Sequence, residues 1–357
     1  MNLSLLVNRR PVSEDTWNIE QGSHNMSNRI LSVTPNPAID RVVFVRNFRF
    51  DAVIRAEREA VTPCGKGVNA SMVVHELGGD TLALGLTAGL IGEQHRRFLD
   101  ELGVAHDFLP ARGETRMQTI LVDEAIGQQS SIVAQTMCAT PAHLNGLIGL
   151  VKTHVEGAWG LMCGGSLPTG FPCDGYAHII RSARELGLVT LLDSSGDGLR
   201  YGASGYPHIL KANLVELATL DEDAATAIQQ GIETGRDYLA RYLGSWASDA
   251  LIVTLGARGV LALTTEGDFV AESLDVPVVN TAGAGDAISG GIMLSRSRGA
   301  SWPEALALGT AAAASVVLNE GTGICKRQEV EAMLPKVEVH KLERDDHVGT
   351  THTGVYG

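Results

Sequence analysis

The stretch Val278-Val-Asn-Thr-Ala-Gly-Ala-Gly-Asp-Ala-Ile-Ser-Gly-Gly291 joins a β-branched run to three residues without bulk, an acid, and a helix-forming segment. Gly283, Ala284 and Gly285 can turn their amides inward together at a helix start. Unpaired N–H groups and the helix dipole both attract negative charge there. Asp286 is an unexpected neighbour for such a site, because its carboxylate competes with the anion. Two readings stay open. Asp286 caps the helix beside a glycine turn, or it is a base that takes the proton of an attacking hydroxyl while the amides hold charge developing on a transferred phosphoryl group.

A second group lies in the N-terminal half, where Thr34-Pro-Asn-Pro-Ala-Ile-Asp40 ends an apolar run and Cys64-Gly-Lys-Gly-Val-Asn69 opens a helix-like one. Prolines stop a strand and glycines let a backbone approach a ligand, so Asp40, Lys66 and Asn69 can project into one crevice beyond the strand ends. A carboxylate and an amide suit polyol hydroxyls. In isolation, Asp40 reads equally as a turn cap and Lys66 as a surface charge.

The elements that must carry these residues alternate. Short apolar runs at 30–33, 81–86, 159–163, 189–193, 209–211, 251–255 and 260–263 are separated by helix-like segments. That order predicts an α/β fold, a doubly wound and mostly parallel sheet flanked by helices. Residues 41–62 and 112–131 break the pattern, with β-branched residues alternating with polar ones, and predict strands with one buried face that form a small β-sheet lid. Residues 1–26 and 339–357 are polar or turn-rich and read as flexible extensions around a domain at 27–338.

Composition narrows the function classes. The 357 residues are 44% hydrophobic and 19% charged, enough apolar sequence for a sizeable core. The net charge of −13 argues against a nucleic-acid partner or an anionic membrane surface. Five scattered cysteines lack zinc spacing, and no segment has the length of a signal or a membrane span, so reduced thiols and a cytoplasmic location are expected. The eleven histidines are too dispersed for a ligand pair on a helix.

Taken together, the ordered motifs resemble the ribokinase-like PfkB family of sugar kinases over roughly residues 29–335. Its C-terminal signature is matched by Asn280-Thr-Ala-Gly-Ala-Gly-Asp-Ala, and its N-terminal one by Gly65-Lys-Gly-Val-Asn-Ala-Ser. Thr34-Pro-Asn-Pro-Ala-Ile-Asp40, Gly113-Glu-Thr-Arg116, Gly165-Ser-Leu-Pro-Thr-Gly170 and Asp193-Ser-Ser-Gly196 are similar to the branch that acts on phosphorylated ketohexoses: 1-phosphofructokinase, tagatose-6-phosphate kinase and the minor 6-phosphofructokinase.

The resemblance implies ATP-dependent phosphorylation of a ketohexose phosphate, with Asp286 as base and Gly283, Ala284 and Gly285 as anion hole. It places Asp40, Gly65, Lys66 and Asn69 on the sugar, and Arg116 on its existing phosphate. Arg55 is a second phosphate candidate, and Ser166 a hydroxyl donor to the same sugar. On the nucleotide side it implies Lys211, Asn213, Glu216, Thr254, Gly256, Gly259 and Asn319, with Asn213 and Glu216 organising magnesium through water. It also implies a monovalent cation site between Gly321–Gly323 and the carbonyls of Asn280 and Ala282, and a homodimer formed through the lid. Cys64, Ala212 and Ala282 depart from the family's more frequent Gly or Ala, Pro and Val. Two rival readings are a kinase of an unphosphorylated sugar or nucleoside, which does not need Arg116 or Arg55, and a catalytically silent sugar-phosphate sensor.

Overall fold

The computed structural model describes residues 28–343. The expected N-terminal extension at 1–26, and the part of the expected tail beyond 343, lie outside the described residues. A ten-stranded sheet runs in the order Val339–Leu342, Gly267–Ala271, Val260–Thr264, Ala250–Thr254, Ile209–Asn213, Val189–Asp193, Ala158–Gly164, Arg29–Thr34, Thr81–Thr87, His106–Pro110. From Ala250–Thr254 onward every pairing is parallel, and the other three are antiparallel. Val339–Leu342 pairs with Gly267–Ala271, which corrects the expectation of a flexible tail starting at 339.

The central strands hold because alternate side chains enter two cores. Leu31, Leu161, Leu192, Leu251 and Leu263 face one apolar cluster, while Ile30, Met162, Leu191, Ile252 and Ala262 face the other. Each is nearly or fully buried, and full burial of one such large side chain contributes about 1.5–3 kcal/mol. This burial on both faces makes the strands read as continuous apolar runs.

The chain starts in the middle of the sheet at Arg29–Thr34, builds outward to His106–Pro110, then returns to Ala158–Gly164 and builds the other way. The switch point therefore lies between Thr34 and Gly164, where ligands of open α/β sheets bind. Two helices converge above it, Lys66–Glu76 and Ala284–Ser297. Their approach is close enough to require glycine. A Cβ on Gly290 would lie 2.8 Å from the Ala70 carbonyl oxygen, and one on Gly291 would lie 2.7 Å from Gly309 Cα in the helix Trp302–Val317.

The alternating stretches do form a separate lid. Arg58–Cys64, Ala38–Val45, Arg116–Asp123 and Gln128–Ile132 pair in that order. The lid's buried face, Val42, Phe44, Ile120 and Val122, packs against Val279 and Ala282 in the segment leading to the helix Ala284–Ser297. Among the described residues no helix is long and apolar enough to cross a membrane.

Candidate active site

The helix Ala284–Ser297 begins at Gly283, which has φ +85° and no side-chain cap. A Cβ there would sit 2.5 Å from the Gly323 amide nitrogen, so the left-handed turn and the neighbouring loop both demand glycine. The first amides of the helix have no intrahelical acceptor, which leaves an anion-binding end. Asp286 lies in this first turn and is buried, so it is not the capping residue. It accepts a hydrogen bond from Asn69 Nδ2 at 2.7 Å. Burial, and next the negative charge of Asp193, push its pKa up to about 6, while Lys66, Lys211 and Asn69 pull it the other way. A carboxylate tuned to this range accepts a proton near neutral pH far better than an ordinary one.

Asp193 is the hub beneath this end. It finishes its strand fully buried, and its two oxygens accept from Lys66 Nζ at 2.6 Å, Lys211 Nζ at 2.8 Å and Ser289 Oγ at 2.9 Å. Burial raises its pKa, but Lys211 and Lys66 outweigh that and hold it below the usual carboxylate range. Lys66 also donates to Glu216 Oε1 at 2.6 Å. Burial opposes its charge, but Asp193 and Glu216 raise its pKa overall. The expectation for Lys66 as a sugar ligand thus meets a different geometry: the two acids, far away in sequence, draw its ammonium to the strand ends. Lys211 is likewise buried, and a Cβ on Gly285 would lie 2.8 Å from its Nζ, so its ammonium sits directly beneath the start of the helix.

Asn213 and Glu216 form a capping box on the helix Leu214–Leu220, Asn213 Oδ1 accepting from Glu216 N and Glu216 Oε2 from Asn213 N, both at 2.9 Å. Each oxygen keeps a free lone pair. The only group of three acid, His or Cys ligands close enough for one ion among the described residues is Glu272, Glu338 and His340, at the far edge of the sheet. The donor set at Asn213 and Glu216 therefore fits a magnesium ion held through its own water and not a direct cage. Thr254 pairs with Asn213 at the same strand ends, and the turn Gly256–Arg258, closed by Leu255 N to Gly259 O at 2.8 Å, follows it. Asn319 donates both to Ser315 O at 2.8 Å and to Glu329 Oε2 at 3.1 Å, leaving only its carbonyl oxygen for a ligand.

On the lid side, buried Asp40 accepts from Gln118 Nε2 at 3.0 Å and Thr322 Oγ1 at 2.8 Å. Burial raises its pKa, with Thr322, Cys64, Arg116 and Gln118 opposing. Arg116 is buried too, and burial lowers its pKa. Its Nη2 donates to the Asn36 carbonyl at 3.1 Å, but among the described residues its Nε has no partner and no carboxylate forms an ion pair with it. Asn36 Nδ2 in turn donates to Ser166 Oγ at 3.2 Å. The turn before Ser166 is fixed by Tyr176 and Ser194, whose hydroxyls both donate to the Gly165 carbonyl. Gly65 is the N-cap of the helix Lys66–Glu76, with φ +139°. Arg55 stands apart, exposed on the loop between 45 and 58 and with no ion pair among the described residues.

Asp193, Gln118, Thr322 and Asn36 were not among the expected site residues. Asp193, at the end of its strand, and Asn36, in the turn between Arg29–Thr34 and Ala38–Val45, were visible in motifs of their own. Gln118 and Thr322 carried no signal of their own.

Comparison with known proteins agrees with this geometry. The profile of the pfkB family carbohydrate kinases matches residues 34–329. An ATP-dependent 6-phosphofructokinase isozyme 2 of Mycobacterium tuberculosis is 29% identical over 310 residues, covering 85% of this chain and 88% of its own. A 1-phosphofructokinase of Haloferax volcanii is 30% identical over 311 residues, covering 87% and 98%. The crystal structure of Escherichia coli phosphofructokinase-2 with substrates and products superposes with a TM-score of 0.78 at 25% identity, over 86% of this chain and 99% of that one. The chain belongs to the pfkB family of carbohydrate kinases and is an ATP-dependent sugar kinase.

Proposed function

We propose that this kinase transfers the γ-phosphoryl group of ATP to a free hydroxyl of a phosphorylated ketohexose, giving the bisphosphate. The observation that carries this reading is Arg116, a buried guanidinium that makes no ion pair among the described residues, feels Asp40 only through space, and keeps an unpartnered Nε. Buried charges are ordinarily paired, and the planar fork of arginine matches phosphate oxygens. The sugar's existing phosphate is the partner that satisfies it, and a kinase of an unphosphorylated sugar has no use for such a group.

Asp40 and Asn69 hold the sugar hydroxyls, Gly65 lets the backbone approach, and Ser166 adds a donor held by Asn36. Asp286 takes the proton of the attacking hydroxyl. The amides of Gly283, Ala284 and Gly285, backed by Lys211, stabilise charge on the phosphoryl group in flight. Asn213, Glu216, Thr254, Gly256 and Gly259 line the nucleotide side. Bound magnesium supplies charge neutralisation of the ATP phosphates, and Asn213 and Glu216 would hold it through water. A monovalent cation fits the junction of Asn280–Ala282 with Gly321–Gly323, where Asn280 Nδ2 donates to Glu320 O at 3.0 Å and Gly323 N to Ala282 O at 3.3 Å. The outer face of the lid exposes Val61, Met117 and Ile132, which supports pairing of two lids in a homodimer.

Arg116→Ala tests the reading. The sugar-phosphate KM should rise roughly tenfold to a hundredfold, the range for losing a charged hydrogen bond, with the ATP KM almost unchanged. An equal rise in both constants would contradict it.

A further inference from the structure

Cys64 sits where the lid joins the central domain, and its surroundings are all site residues. It ends the lid strand Arg58–Cys64, opposite Ala38, and precedes the N-cap of the helix Lys66–Glu76. Its side chain is buried. The sulfur accepts from Asn69 Nδ2 at 3.6 Å, the same amide nitrogen that donates to Asp286. The Asp40 carboxylate lies beside the thiol, close enough for the two to act on each other electrostatically. The backbone carbonyl of Cys64 meets His95 Nε2 at 3.3 Å, which fixes the strand end.

Two further buried atoms border this group without a partner, Asn69 Oδ1 and Arg116 Nε. Such atoms need a hydrogen-bonding ligand to be satisfied. The sulfur thus stands between the acid assigned to the sugar, the amide that steadies the base, and polar atoms that need a ligand.

The thiol itself is not a nucleophile here. Burial, then the charges of Asp40 and Asp286, push its pKa well above the ordinary thiol value, so it stays protonated. A protonated thiol can accept from the Asn69 amide while its S–H is free to donate to the Asp40 carboxylate beside it.

We propose that Cys64 is a positioning residue for the sugar pocket: its S–H orients Asp40 toward the substrate while its sulfur holds Asn69 over Asp286. The bulk of the sulfur also bounds the crevice on this side. The role rests on the reading of the crevice as a sugar-phosphate pocket.

Cys64→Ala, Cys64→Val and Cys64→Ser, with melting curves, test it in steady-state kinetics on the sugar phosphate that the parent turns over best. Alanine and valine remove the donor, and the sugar KM should rise about fivefold with the ATP KM within twofold. Serine keeps a donor and an acceptor and should return the sugar KM to within about twofold of the parent. Valine keeps the bulk, so it also serves if the alanine variant does not fold. A sugar KM unchanged in both donor-free variants overturns the role of Cys64 and leaves the pocket reading intact. So does a KM raised equally in all three. A parent that turns over no sugar phosphate overturns the pocket reading and this role with it.

Discussion

Asp286 combines three conditions that seldom meet: burial, a nearby second acid, and a position at the positive end of a helix. Its pKa of about 6 follows from the first two. The kcat profile should therefore show an acidic limb near pH 6, activity falling as the base is protonated. Asp286→Asn should lower kcat by about a hundredfold or more. Its stability should move the other way. The folded pKa is raised, so the ionised acid costs stability above pH 6, and the asparagine variant should melt no lower than the parent at pH 7.5. That margin should vanish below pH 4, where both forms are neutral in the folded and unfolded chain. Kinetics and a melting curve together separate a lost base from a lost fold. Asp193→Asn has the opposite signature. It leaves Lys66 and Lys211 without their shared acid, a change of about 3–5 kcal/mol for a broken buried pair. By removing a negative neighbour it should also shift the acidic limb below pH 6. An unshifted limb in a folded variant would show that Asp193 does not tune the base.

At the scale of elements, the lid and the catalytic loops are tied at several points. Arg58 on the lid pairs with Glu320, Gln129 Oε1 accepts from Thr281 N at 3.2 Å, and Thr62 Oγ1 accepts from Thr322 N at 3.2 Å. The helices behind them have no slack. Gly291→Ala places a methyl against Gly309, and overpacking of this kind costs about 1–3 kcal/mol. The melting temperature should fall by several degrees, and an unchanged one would mean the helices can part. How much of this was legible in the sequence follows from where each contact comes from. The central strands were readable because both of their faces are buried, and the lid strands because only one is. Gly283 and Asp286 were readable because a glycine turn into a helix is local. The edge strands His106–Pro110 and Val339–Leu342, and Gly267–Ala271 beside the latter, were not, being short and mixed in polarity. The partners of Lys66 were not either, since 127 and 150 residues separate it from Asp193 and Glu216. Side-chain direction at such range is set by packing, which no local pattern encodes.

For the whole molecule, function follows from topology. The sheet reverses its strand order between Thr34 and Gly164, and the lid returns over that crevice from both sides of it in the chain. One end of the crevice holds the buried acid Asp286 at an uncapped helix start, and the other a buried arginine that makes no ion pair among the described residues. From that polarity we propose that the enzyme accepts a sugar that already bears a phosphate. Coupled assay of ADP release, run on the parent protein with fructose 1-phosphate, fructose 6-phosphate, tagatose 6-phosphate, fructose, ribose and adenosine, tests it most directly. The account predicts that at least one phosphorylated ketohexose is turned over with a kcat/KM about tenfold to a hundredfold above every unphosphorylated compound. A preference for an unphosphorylated sugar or nucleoside, or binding of sugar phosphates without any ADP release, would contradict it.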